Sequence, residues 1–247
     1  MDTEFEGQKS SYFVGLALQV REALTLHHEY GLTKEDGWRN VTEHCLVEVA
    51  RVQMLGWMLD LHKETIDKLM MAAALHDFYK RYEVQLIKTR GIDWVVYNIS
   101  SAQSEQILYD KGFDPEVIRL ACAVGHESIL EAEEILARGQ FTEMEVAYLI
   151  MHYIDDYTIN DEWAEFDGLI KRMDHNETNS RYQKLDSDGL GKFREGETTF
   201  MAHRRVGLAA EDALSNMLRR IGWELQVNGE LPVLVDYLIK VKIKGGL

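Results

Sequence analysis

Apolar positions recur at three- and four-residue spacing over long stretches of this chain, and only two prolines interrupt them. That period predicts a mainly helical protein. Asn40 followed by Glu43 resembles a capping box opening a helix to about Leu61. A second helix is expected from about Ile66 to Tyr79. Asp114-Pro115 supplies an N-cap and a first-turn proline for a helix ending near Gly125. Thr142 and Glu145 form another capping box, opening "VAYLIMHYIDDY", which is apolar on nearly every side until its last turn. A final long helix is expected over about Phe200 to Trp223, and the tail "LPVLVDYLIKVKIKGGL" fits either helix or strand. The expected fold class is all-α.

Residues 176–199 are polar, glycine-bearing and without period, and read as a long loop or lid. Their "DSDG" resembles the start of a calcium loop, but the ligand spacing that follows fails. There is no internal repeat.

At 247 residues the chain can bury a full core, and 46% hydrophobic with 28% charged residues is ordinary for a soluble protein. No window approaches the roughly 18 apolar residues of a membrane span. The opening "MDTEFEGQKSSYF" resembles neither a secretory signal nor a transit peptide, so a cytoplasmic location and no membrane partner are expected. Cys45 and Cys122 lie in apolar helical patterns and read as buried thiols rather than a disulfide framework. A formal charge of -15 argues against broad nucleic-acid binding, which needs a basic face. One local exception is "KRYEVQLIKTR", where Lys80, Arg81, Lys88 and Arg90 face a single Glu83. It is either a solvated basic face or a place for a small anion.

That basic run begins where "AAALHDFYK" ends on His76, Asp77 and Lys80. His44 lies in "NVTEHCLVEVA", and Asp155 and Asp156 lie near the end of the apolar "YLIMHYIDDYT". Carboxylates in such a helix are costly to bury unless paired or bound to metal. Two imidazoles and two carboxylates suit a divalent ion and leave octahedral positions for water or substrate. Spacing alone does not choose between Asp155 and Asp156. His126 follows Gly125, and His152 shares a helical face with Asp155. His27, His28, His62, His175 and His203 lack a comparable context.

The order of a histidine, a His-Asp pair and a distant aspartate resembles the HD superfamily of metal-dependent phosphohydrolases, from about Asn40 to Tyr157. "NVTEHC" resembles the first-histidine segment of its 5'-deoxynucleotidase branch, and a lysine three residues after the aspartate occurs in many members. The resemblance implies an HD-domain helical bundle with additional C-terminal helices. It implies a single domain over 1–247, with a motif core at 40–157 and a helical extension at 158–247. It makes His44, His76, Asp77 and Asp155 the metal ligands; Asp155 is preferred because the family pattern sets a large apolar residue, here Tyr157, two places on.

The implied activity is hydrolysis of a nucleotide or related small phosphate ester with a divalent ion (Mn, Fe, Co, Zn, Ni or Mg). Asp77 would orient or deprotonate a water, Lys80 and Arg81 would bind the phosphate, and His126 would protonate the leaving group. Trp38, Tyr79 or Trp94 offers a surface for stacking on a base. Lys80 departs from the deoxynucleotidase branch, which tends to carry a glutamate there, and this leaves the general base open. Two alternatives share the fold: a di-iron oxygenase cleaving a C–C or C–P bond, and a noncatalytic metal-binding regulatory module. Between 78 and 154 only His126 and His152 occur, which favours one ion. The expected partner is a small anionic phosphate-containing substrate, and homo-oligomer formation is left open.

Overall fold

A computed structural model of the chain describes residues 3–32, 39–91, 94–158, 193–225 and 230–245. The described residues are all-α. In chain order they form α1 (Thr3–Gln19), α2 (Arg21–Glu29), α3 (Arg39–Met58), α4 (Lys63–Leu75), α5 (Lys80–Arg90), α6 (Trp94–Asp110) and α7 (Pro115–Ala121). A 3-10 turn (Cys122–Val124) leads to α8 (Ser128–Arg138), α9 (Glu143–Tyr157), α10 (Thr199–Arg220) and α11 (Glu230–Ile243). No described helix is long and apolar enough to cross a membrane.

The centre is α9. Every residue from Val146 to Ile154 is buried, so the helix is enclosed on all sides rather than amphipathic. It packs on α3, α4, α8 and α10. Its start is fixed by the expected capping box: the Thr142 hydroxyl accepts from the Glu145 amide and the Glu145 carboxylate accepts from the Thr142 amide. Asp114 likewise caps α7 by accepting from the Glu116 amide, with Pro115 in the first turn. One hydrophobic cluster runs from Leu16 in α1 to Ile243 in α11.

Several boundaries differ from expectation. The third helix already contains Arg39, so Asn40 lies inside it rather than capping it. The helix expected to reach Tyr79 stops at Leu75, and residues 76–79 form a turn before α5. His76 is the cause: its Nδ1–H donates to the Ala73 carbonyl (2.8 Å), and the Phe78 amide reaches back only to Leu75. Near Gly125 the chain tightens into the 3-10 turn after Ala121. The tail is helix, and Thr198 caps α10 one residue earlier than expected. Most of the 176–199 segment, with Trp38 and His175, lies outside the described residues. Cys45 is buried as expected, but Cys122 is exposed because it sits where α7 gives way to the turn.

The C-terminal helix is tied to the centre by a buried ion pair. Arg51 of α3 donates Nε and Nη2 to the two oxygens of Asp236, 3.0 Å each, and Nη1 to the Thr158 hydroxyl at 2.9 Å. Its guanidinium also lies over the Tyr157 ring. This bidentate pairing satisfies both buried charges and pins the end of α9, where the aspartates are.

Candidate metal centre

Three segments meet at one point: the early turns of α3, the break between α4 and α5, and the last turn of α9. His44, Glu48, His76 and Asp155 each place a ligand-type atom there, all within 4.8 Å of one another. Glu48 stands one helical turn after His44 and therefore on the same face of α3. Its Oε1 lies 3.0 Å from His44 Nε2, and Oε2 lies 3.5 Å from His76 Nδ1. Asp155 Oδ1 is 3.8 Å from His44 Nε2 and 3.7 Å from His76 Nε2.

The hydrogen bonds set which atoms are available. A carbonyl can only accept, so the proton of neutral His76 sits on Nδ1 against Ala73, and Nε2 carries its lone pair inward. That Nε2 is buried without a hydrogen-bond partner, and so are both Glu48 oxygens. Unsatisfied acceptors gathered in a dry place cost free energy unless a cation joins them. Two imidazoles with two carboxylates are a donor set a divalent metal ion accepts, and the backbone-anchored Nδ1–H is the usual second support of a ligating histidine. These groups fit a metal ion.

Charge tells the same story. Burial works against the imidazolium of His44, but the carboxylates of Glu48 and Asp155 outweigh it and push its pKa up to about 10. Burial also opposes a charged His76, yet Glu48, Cys45 and Asp77 raise it well above the ordinary histidine value. The centre strongly favours positive charge. The last turn of a helix is also the end where carboxylates are least favoured by the helix dipole, so Asp155 gains from a cation beside it.

Asp77 sits at the edge of the cluster, with Oδ2 4.0 Å from His76 Nε2 and Oδ1 3.5 Å from Lys80 Nζ. Burial would raise its pKa, but Lys80, His76 and His44 hold it below the usual aspartate value. Lys80 also pairs with Glu83 at 3.2 Å. A cavity of about 260 Å³ opens beside these groups, lined by His76, Asp77, Lys80, His126 and Asp155 among others.

Arg81, Lys88 and Arg90 are not among its lining residues, and the Arg81 guanidinium lies 3.5 Å from the Gly31 carbonyl. Helix periodicity explains the split, since α5 turns Arg81 away from Lys80. Tyr79 does line the cavity, but its ring is stacked on Tyr82 at 4.7 Å and its hydroxyl donates to Gln103.

His126 lines the cavity too, and Nδ1 lies 2.9 Å from His203 Nε2. Burial, then His203 and Lys80, lower its pKa to about 3, so it is neutral near pH 7. The sequence reading expects His126 to protonate the leaving group, and an imidazolium able to do so is disfavoured at this position. The sequence reading also missed Glu48, which looks like one more polar helix residue until its turn is aligned with His44.

His203 was passed over as well. It arrives from α10 and packs against Asp156 and His152 in a second buried group, all three within 4.8 Å. The count of histidines between 78 and 154 could not include it.

Compared with models of known protein families, with curated proteins and with solved structures, the chain matches none.

Proposed function

We propose that this protein is a metal-dependent phosphohydrolase of HD type, acting on a nucleotide or related small phosphate ester. The observation that carries the reading is the convergence of His44, Glu48, His76 and Asp155, with buried acceptors on Glu48 and His76 that make no hydrogen bond, beside a cavity lined in part by Lys80. The ordered His, His-Asp and Asp segments support it: His44 and Asp155 lie in helices, and His76 and Asp77 in the turn that directly follows an apolar helix.

His44, His76 and Asp155 would hold the ion, with Glu48 and Asp77 beside them. A divalent ion there would supply Lewis-acid polarisation of a phosphoryl oxygen and acidification of water. Asp77, kept ionised by Lys80 and the two imidazoles, is able to orient a water and accept its proton. Lys80 neutralises charge growing on the phosphate, where stabilisation counts most. His126, being neutral, contributes a hydrogen bond rather than a full positive charge. Arg81 has no part in this arrangement, since it faces Gly31.

The test supplies Mn²⁺, Co²⁺ or Fe²⁺ anaerobically with a panel of nucleoside mono- and triphosphates. Release of phosphate or pyrophosphate without oxygen is expected. A second reading, the di-iron oxygenase, gains from the His152–Asp156–His203 group, in which His203 adds one imidazole the sequence count lacked. In a parallel aerobic assay with Fe²⁺, oxygen consumption coupled to substrate, with no phosphate release, would select it instead.

A further inference from the structure

We propose that His152, Asp156 and His203 form a second, buried divalent-cation site, separate from the centre at His44 and His76. His152 Nδ1 lies 3.0 Å from the Ala123 carbonyl, so a neutral His152 carries its proton there and turns a bare Nε2 inward. That Nε2 makes no hydrogen bond, and neither does Asp156 Oδ2, 3.4 Å away. The His152 side chain is fully buried and that of Asp156 is 5% exposed. Two buried acceptors thus face one another with no donor between them, and their separation exceeds the roughly 2.7–2.9 Å of a charge-assisted hydrogen bond. A cation between them turns this repulsion into ligation.

The third ligand is His203, whose Nδ1 lies 3.0 Å from Asp156 Oδ1. Two imidazole nitrogens and one carboxylate suit Zn²⁺ or Fe²⁺ far better than Mg²⁺ or Ca²⁺, which prefer all-oxygen shells. Asp156 and His203 also line the cavity, which gives an ion an entry path and room for water to complete its coordination. A three-residue site with an open position is the arrangement of a working rather than a purely structural zinc.

The site sets the proton on His126. Without an ion, His203 Nδ1–H donates to Asp156, so His203 Nε2 accepts from His126 Nδ1–H. His126 Nε2 is then a bare acceptor. With an ion on His203 Nδ1, the His203 proton moves to Nε2 and donates to His126 Nδ1. The His126 proton moves to its own Nε2, and both rings stay neutral. Filling the site converts His126 from an acceptor into a neutral N–H donor for an anion in the cavity.

The experiment measures metal content of the full chain after anaerobic equilibration with Zn²⁺ and removal of loose metal, with histidine ¹⁵N spectra on the same samples. Two ions per chain are expected for the natural sequence, falling to one in Asp156→Asn and His203→Gln, while His44→Gln also loses one but keeps the other. Addition of Zn²⁺ should shift His152 Nε2 and His203 Nδ1 and move the His126 proton to Nε2. Binding of Zn²⁺ that leaves those nitrogens unshifted overturns the proposal, whether one ion or two are bound, as does loss of both ions in Asp156→Asn. The natural sequence alone decides if the variants do not fold. None of these readouts involves hydrolysis, so a failed activity screen leaves this result standing.

Discussion

Glu48 reaches to 3.0 Å from His44 Nε2 across one turn of α3, and neither of its oxygens is satisfied by a hydrogen bond. A fully buried carboxylate in that condition suits a cation, whether the His44 imidazolium or a metal ion. Glu48→Gln should weaken metal binding about 10–100-fold, the usual effect of removing a group that supports a ligand. Competition for Co²⁺ against a chromophoric chelator measures it. Unchanged affinity would remove Glu48 from the centre.

Asp155 and Asp156 should separate by metal site. Asp155→Ala is expected to empty the His44–His76 centre and stop hydrolysis, and Asp156→Ala to be milder there. Cobalt absorption spectra of the two variants give the comparison, and the reverse order would exchange the residues. Asp77→Ala should abolish turnover while far-ultraviolet circular dichroism stays near that of the natural protein, because Asp77 lies in a turn outside α4 and α5.

Lys80→Ala should lower turnover of phosphate esters by about 2–4 kcal/mol in transition-state stabilisation, the scale for losing one electrostatic donor. Metal content should not change, since a charged lysine is not a ligand. Arg81→Ala should leave turnover nearly untouched, because its guanidinium faces Gly31. Equal losses in both variants would place the phosphate elsewhere.

The metal-free protein should lose stability as pH rises. His44 has a folded pKa of about 10 against an ordinary 6.5, so its stabilising contribution is fully present below about pH 6.5 and is lost as pH climbs through 10. Metal binding must displace that proton, so affinity should rise with pH over the same window and binding should release protons. Thermal unfolding of metal-free and metal-loaded protein across this range tests both, and a metal-free Tm that climbs with pH would contradict the assignment.

Asp236→Ala should cost about 3–5 kcal/mol of stability, because it leaves the Arg51 charge buried and unpaired. Denaturant unfolding of the metal-loaded protein measures the loss. A change under about 1 kcal/mol would mean the pair is open to water.

Local signals were the legible ones. The caps at Asp114 and Thr142 act within a few residues, and the structure keeps both. The end of α4 was not legible, because its cause is a side chain folding back onto Ala73 in competition with helix propagation. His44, His76 and Asp155 were visible as polar groups in apolar helices, whereas Glu48 needed the alignment of a helical turn. His203 carries no local mark at all; only the packing of α10 on α9 brings it to Asp156.

Neighbouring residues on a helix leave its axis about 100° apart. Asp155 and Asp156 therefore depart from one enclosed shaft toward different flanks, one to His44 and His76, the other to His152 and His203. The azimuth of that shaft is held by the close packing of its apolar residues, not by the aspartates themselves. A volume change at Leu149, remote in chemistry from either group, would re-aim both carboxylates together. In this protein the fit of the hydrocarbon interior and the aim of its polar tips are one trait, inherited or engineered as a unit.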